Sequence, residues 1–106
     1  MIEGQRWSDE SVRAGKLPPV SWEKIVDHID HAVRIAGADH VGIGSDFDGA
    51  FMPAGMEDAS NFPRLTEGLL RRGYGEADIR KILGENTLRV LAEAERVGQV
   101  IRSEKP

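Results

Sequence analysis

Asp46 is the residue in this sequence best placed to do chemistry. It closes the run His40-Val41-Gly42-Ile43-Gly44-Ser45-Asp46-Phe47-Asp48-Gly49. Read as a β-strand, the run sends His40, Gly42, Gly44 and Asp46 to one face and Val41, Ile43, Ser45 and Phe47 to the other. One face is apolar, and the other is bare glycine leading to a carboxylate. Strands of parallel α/β barrels present catalytic groups in this way, at their C-terminal ends. The chemistry open to such a carboxylate is general acid–base proton transfer. The plainer alternative is that Asp46 and Asp48 shape a polar turn, as Asp commonly does.

Two other motif readings fail. A calcium-binding EF-hand loop needs glycine at its sixth position, whereas in DFDGAF the glycine is fourth. A dinucleotide fingerprint needs its glycines in the turn between strand and helix, whereas Gly42 and Gly44 lie within the strand. His28-Ile29-Asp30 spells His-x-Asp, but residues two apart on a helix diverge by about 200° and cannot share an ion. His28 and His31, three apart, could in principle share a metal, but with Asp27 and Asp30 beside them a solvated helix face is the expectation. His40 opens the strand at the end opposite Asp46, where a hydrogen bond to a neighbouring loop is expected. Glu57 and Asp58, in the loop that follows, are candidates for the mouth of a site.

The elements that must position Asp46 follow from spacing. Residues 1–20 are polar and aperiodic, ending in Pro18-Pro19, and read as an arm with a helical turn near Glu10–Ala14. Ser21 offers an N-cap, and Trp22, Ile25, Val26, Ile29, Ala32, Val33 and Ala36 form a one-sided helical stripe stopped by Gly37. The strand occupies Ala38 to Phe47, and a loop runs to about Asn61. Pro63 suits the first turn of a second helix with Leu65, Leu69 and Leu70 on its apolar side and Gly73 as its stop. A short helix carries Ile79, Ile82 and Leu83 and ends at Gly84. Asn86 caps a last helix through Leu88, Leu91 and Ala92, and residues 103–106 are expected to fray. Trp22 and Phe62, each near a helix start, are expected to pack as core or staple. The order is helix, strand, then three helices, so the fold class is α/β but mostly helical. A lone strand cannot satisfy its own hydrogen bonds, which implies a missing remainder.

The totals narrow the function. A chain of 106 residues is one domain or less. A formal net charge of −4 argues against nucleic acid as the main partner. Arg64, Arg71, Arg72, Arg80 and Lys81 are interleaved with acids and read as solvated faces. The absence of cysteine excludes a disulfide frame, a Cys-based zinc site and a thiol nucleophile. No apolar run reaches the ~20 residues of a membrane span, and the first residues lack a signal-peptide core, so a cytoplasmic location is expected.

HVGIGSDFDG, then PAGMEDASNFPRLTEGLLRRGY, then IRKILGENTLRVL, with DHIDHAVRIAG upstream, resembles in order and spacing the C-terminal end of the membrane dipeptidase (renal dipeptidase) family. The resemblance covers about Val20 to Val97. It implies the last strand and flanking helices of a TIM-like (β/α)8 barrel, two zinc ions, and hydrolysis of dipeptides, some with a D-residue at the C-terminal side. It further implies that Asp46 stands beside the metals and moves a proton between the attacking water and the leaving amine. Gly75 replaces a usual serine and Glu85 a common glycine, neither of which touches the chemistry. The family's zinc ligands, a His-x-Asp, a bridging glutamate and two later histidines, match nothing here and fall upstream. A whole barrel takes about 250 residues. The expectation is therefore part of a zinc dipeptidase, inactive and metal-free by itself, with a tendency to self-associate. The rivals are a small non-catalytic helical interaction module and an anion binder using Gly42 to Gly49, which the acidic loop disfavours.

Overall fold

A computed structural model describes residues 18–104. The arm assigned to residues 1–20, with its helical turn, therefore lies almost wholly outside the described residues, as do the last two residues of the tail. Helix α1 spans Glu23–Ala36 and buries Val26 and Ile29 from the expected stripe. The Ser21 hydroxyl accepts from the Glu23 N–H (3.4 Å), although Trp22 occupies the capping position itself. Gly37 ends the helix at φ +87°, its N–H on the Val33 carbonyl. Helix α2 (Pro63–Arg71) has proline in its first turn, buries Leu65 and Leu69, and stops before Gly73 at φ +89°. Trp22 and Phe62 pack against the core as expected.

The C-terminal third departs from the expectation. Helix α3 (Glu76–Arg80) does not end at Gly84. It runs through a π turn, Lys81–Glu85, directly into helix α4 (Asn86–Ser103). The wide turn carries the helix past the glycine and brings Ile79, Ile82 and Asn86 to the buried side. Asn86 is consequently not a cap. The helix holds through Ser103, where fraying was expected.

The core joins Val26 and Ile29 of α1, Leu65 and Leu69 of α2, Ile79 and Ile82, with Val41 and Met56 from the connecting segments. Ala38–His40 form a 3-10 turn, and residues 41–46 run on without a β-ladder. Among the described residues the β pairing is one isolated parallel bridge, Ser21 to Ala54. The expected strand is thus an unpaired extended segment. Among the described residues no second strand lies beside it to accept its hydrogen bonds, so its backbone completes no ladder there.

Arg72, Asp27 and Asp30 correct the reading of these charges as merely solvated. Arg72 pairs with Asp27 (2.5 Å) and Asp30, and the Tyr74 hydroxyl donates to Asp30 (2.6 Å), clasping α1 to the end of α2. The Tyr74 hydrogen bond, ahead of Arg72, holds the Asp30 carboxyl below its ordinary range. Burial, then the Asp30 hydrogen bond, pushes the Tyr74 phenol up from 10.0 to about 12. A raised phenol pKa favours the folded state below the ordinary value and loses that contribution as pH rises through the folded one. Urea midpoints should therefore fall between pH 10 and about 12. In Tyr74→Phe this alkaline loss should shrink, and an unchanged loss would show that Tyr74 is not its source. Asp30 acts at the other end, with stability lost as pH falls through its depressed value.

Candidate active-site segment

Between Val41 and Phe47 the predicted two-faced pattern appears in the burial of successive residues. Val41 is buried, Ile43 and Phe47 pack on the core, and Gly42, Gly44 and Asp46 are exposed. A Cβ placed on Gly44 would meet nothing within 4 Å, so the segment is open there, whereas one on Gly42 would stand 3.3 Å from the Thr87 hydroxyl. Phe47 anchors the far end with its ring edge-on to Phe62, centroids 5.4 Å apart.

Asp46 does not finish an extended strand as expected. Its φ is +55°, and Asp48 follows at +68°. The left-handed region is uncommon for residues other than glycine, with Asp among the better tolerated. The turn is stabilised by the Gly49 N–H on the Asp46 carbonyl (2.9 Å) and the Phe47 N–H on the Ser45 hydroxyl (3.3 Å). The Asp46 carboxylate lies over Gly49. A Cβ at position 49 would stand 3.0 Å from the Asp46 Cγ and closer still to Oδ1. Glycine at 49 is what leaves room for that carboxylate. The arrangement presents two exposed carboxylates, Asp46 and Asp48, on a constrained turn, with Asp46 next to the open face at Gly44. Such a group can take up or release a proton from a molecule lying on that surface.

Other candidates are not brought to this site. Glu57 accepts from the Gly55 N–H (2.9 Å), and Asp58 caps the 3-10 turn Ala59–Asn61, so both serve their own loop. His28, His31 and His40 are exposed. The His40 side chain makes no hydrogen bond to a loop among the described residues. Nor do these hold a group of three or more His, Asp or Glu side chains arranged to bind a metal. A zinc site needs at least three protein ligands at one point, so the described residues do not fit one. After dialysis the chain should retain well below one zinc; a tightly held stoichiometric ion would show a ligand set in this chain.

Asn86 and Arg89 are the functional candidates that spacing missed. Asn86, 5% exposed, donates from Nδ2 to the carbonyls of Ala38 (2.6 Å) and Val41 (2.9 Å). Arg89 donates to the Asp39 carbonyl (2.6 Å) and to the Asn86 Oδ1 (2.9 Å). The available signal was position, because Asn86 follows Ile79 and Ile82 on the apolar spacing of the same helix.

The sequence profile of the membrane dipeptidase family (peptidase family M19) matches residues 15–105. A dipeptidase of Aspergillus terreus, ataJ, is 52% identical over 75 residues, which are 70% of this chain and 18% of that protein. A metallopeptidase from Rhodobacter sphaeroides, solved with a phosphinate mimic of the dipeptide L-Ala-D-Ala, superposes with a TM-score of 0.65 at 40% identity. That superposition covers 70% of this chain and 21% of that one. The M19 metallopeptidase dipeptidase AC gives a TM-score of 0.60 at 43% identity, covering 64% of this chain and 20% of that one. The chain thus spans about a fifth of the length of these relatives.

Proposed function

The chain belongs to the membrane dipeptidase family of metallopeptidases, and from that premise we propose that it is the C-terminal portion of a dipeptidase in which Asp46 is the proton carrier. In this reading the segment 41–46 is the last strand of a TIM-like barrel, and the rest of the barrel supplies its neighbours. The observation that carries the proposal is the Asp46 carboxylate itself. A left-handed turn and Gly49 hold it at the open end of a glycine-faced segment.

The substrate is a dipeptide. The Rhodobacter metallopeptidase bound to an L-Ala-D-Ala mimic supports this class. The two zinc ions expected of such an enzyme are held by residues outside this chain. Asp46, as carboxylate, takes a proton from the attacking water and, as carboxylic acid, returns it to the departing amine. One group serves both halves of the reaction, leaving the peptide carbon as a carboxylate and the second residue as a free amine. The test is substitution of Asp46 by Asn in the complete enzyme, with turnover and zinc content measured together.

Self-association belongs to the same proposal. Leu88, Val90, Leu91, Val97, Val100 and Ile101 of α4 are 40–64% exposed. The extended segment also leaves backbone groups unpaired, and such edges recruit other chains. Light scattering on the isolated chain should report a dimer or larger species. A monomer at all concentrations would favour the non-catalytic interaction module.

A further inference from the structure

The segment that carries Asp46 has no β-partner among the described residues, so a ladder does not fix its register. Apolar packing holds it through Val41, Ile43 and Phe47. Val41, Ile43, Ser45 and Phe47 repeat every second residue, so a slip of two residues keeps the same faces in and out. Ile43 would then replace Val41, but Ser45 would replace Ile43 and Gly49 would replace Phe47, so packing opposes the slip at the Phe47 end. The same slip would move Asp46 by about 7 Å, at ~3.3 Å per residue. A proton-transfer group must stand within about 2.6–3.2 Å of its partner. The register of the segment therefore decides whether Asp46 reaches anything.

Asn86 fixes the same register at the start of the segment. Both hydrogen bonds from its Nδ2 fall on this segment's start, at Ala38 and Val41. Its Oδ1 is taken by Arg89, whose other nitrogen holds the Asp39 carbonyl. Lys81 adds an ion pair to the Asp39 side chain (2.8 Å). Asn86 is the buried polar side chain of the described residues. A slip would leave its amide without fitted carbonyls, and an unsatisfied buried polar group is costly. Its two donors accept one spacing of carbonyls.

We propose that Asn86, assisted by Arg89, is the positioning residue for Asp46, locking the register of the segment from α4. The consequence for catalysis rests on the reading of Asp46 as proton carrier; the register lock rests on the hydrogen bonds alone. ¹⁵N relaxation of the full chain separates the two. In the native chain the Gly42 and Gly44 amides should have order parameters near the rigid value of about 0.85. In Asn86→Ala, and in Asn86→Asp, which keeps the size but loses both donors, they should fall below about 0.6, with α1 and α2 unchanged. Arg89→Ala, at an exposed position, should loosen the segment less, and Arg89→Lys should restore part of the order. A merely structural asparagine would lower the urea midpoint without this local loosening. Unchanged order at Gly42 and Gly44 in folded Asn86 variants overturns the proposal. If those variants do not fold, unchanged order in Arg89→Ala overturns it.

In the complete enzyme, Asn86→Ala should lower kcat by up to about 10²-fold, the scale of a small misplacement of a catalytic group. It should cost little more once Asp46 is already Asn. Loosening accompanied by additive losses in the double variant would retain the register lock and refute Asp46 as the group it serves.

Discussion

In the complete enzyme, Asp46→Asn should reduce turnover of a dipeptide by about 10²- to 10⁴-fold, the usual contribution of a general acid–base group. The substitution keeps nearly the same size and shape, and asparagine also tolerates the left-handed conformation found at φ +55°. The turn should survive, because its hydrogen bonds use the Asp46 carbonyl and the Ser45 hydroxyl and not the carboxylate. What disappears is the site for the transferable proton. Zinc content should stay near normal, since Asp46 is assigned no ligand role. Asp48→Asn, two residues on and within the turn, should cost distinctly less. Steady-state hydrolysis with metal analysis in parallel checks this. Full turnover in Asp46→Asn, or a loss that merely tracks lost zinc, would make Asp46 structural or a ligand.

Leu69→Ala should destabilise the isolated chain by about 2–5 kcal/mol, the range for large-to-small changes in a core. Leu69 is fully buried at 0% exposure, among Val26, Leu65, Ile79 and Ile82 in the cluster that joins α1, α2 and α3. Truncation removes apolar contact and leaves a cavity where helices meet from several directions. Domains of this size have only about 5–15 kcal/mol in total, so the variant should be at or near unfolding at moderate urea. The neighbouring Leu70 is 57% exposed, and Leu70→Ala should fall within about 0.5 kcal/mol of the native chain. Urea denaturation of both variants tests the assignment, and equal losses would place the core elsewhere.

Local patterns were legible from the residues, and long-range partnerships were not. The stripes ending at Gly37 and Gly73 gave α1 and α2 because one-sided apolar spacing and a glycine stop are local signals. The alternation from Val41 to Phe47 correctly separated buried from exposed positions, since it depends on backbone pleat alone. Pairing into a sheet depends on other strands, which is why the expected strand is an unpaired segment. Arg72 reaches Asp27 and Asp30 across 45 and 42 residues, a distance at which charge patterning is silent. Asn86 was misread because asparagine favours helix starts, and here a π turn carried the helix through Gly84 into it. At the candidate site the face bearing Asp46 was visible in the glycine spacing. Its left-handed turn and its close approach to Gly49 were not, because both need three-dimensional proximity.

The most direct measurement replaces the matching fifth of the Rhodobacter metallopeptidase with residues 15–105 of this chain. The chimera is then assayed against L-Ala-D-Ala, with zinc content and this chain alone measured alongside. The account predicts dipeptide hydrolysis by the zinc-loaded chimera, a fall of about 10²- to 10⁴-fold in its Asp46→Asn form, and no hydrolysis above buffer by the chain alone. A folded, zinc-loaded chimera without activity, or one equally active with Asn at position 46, would contradict it.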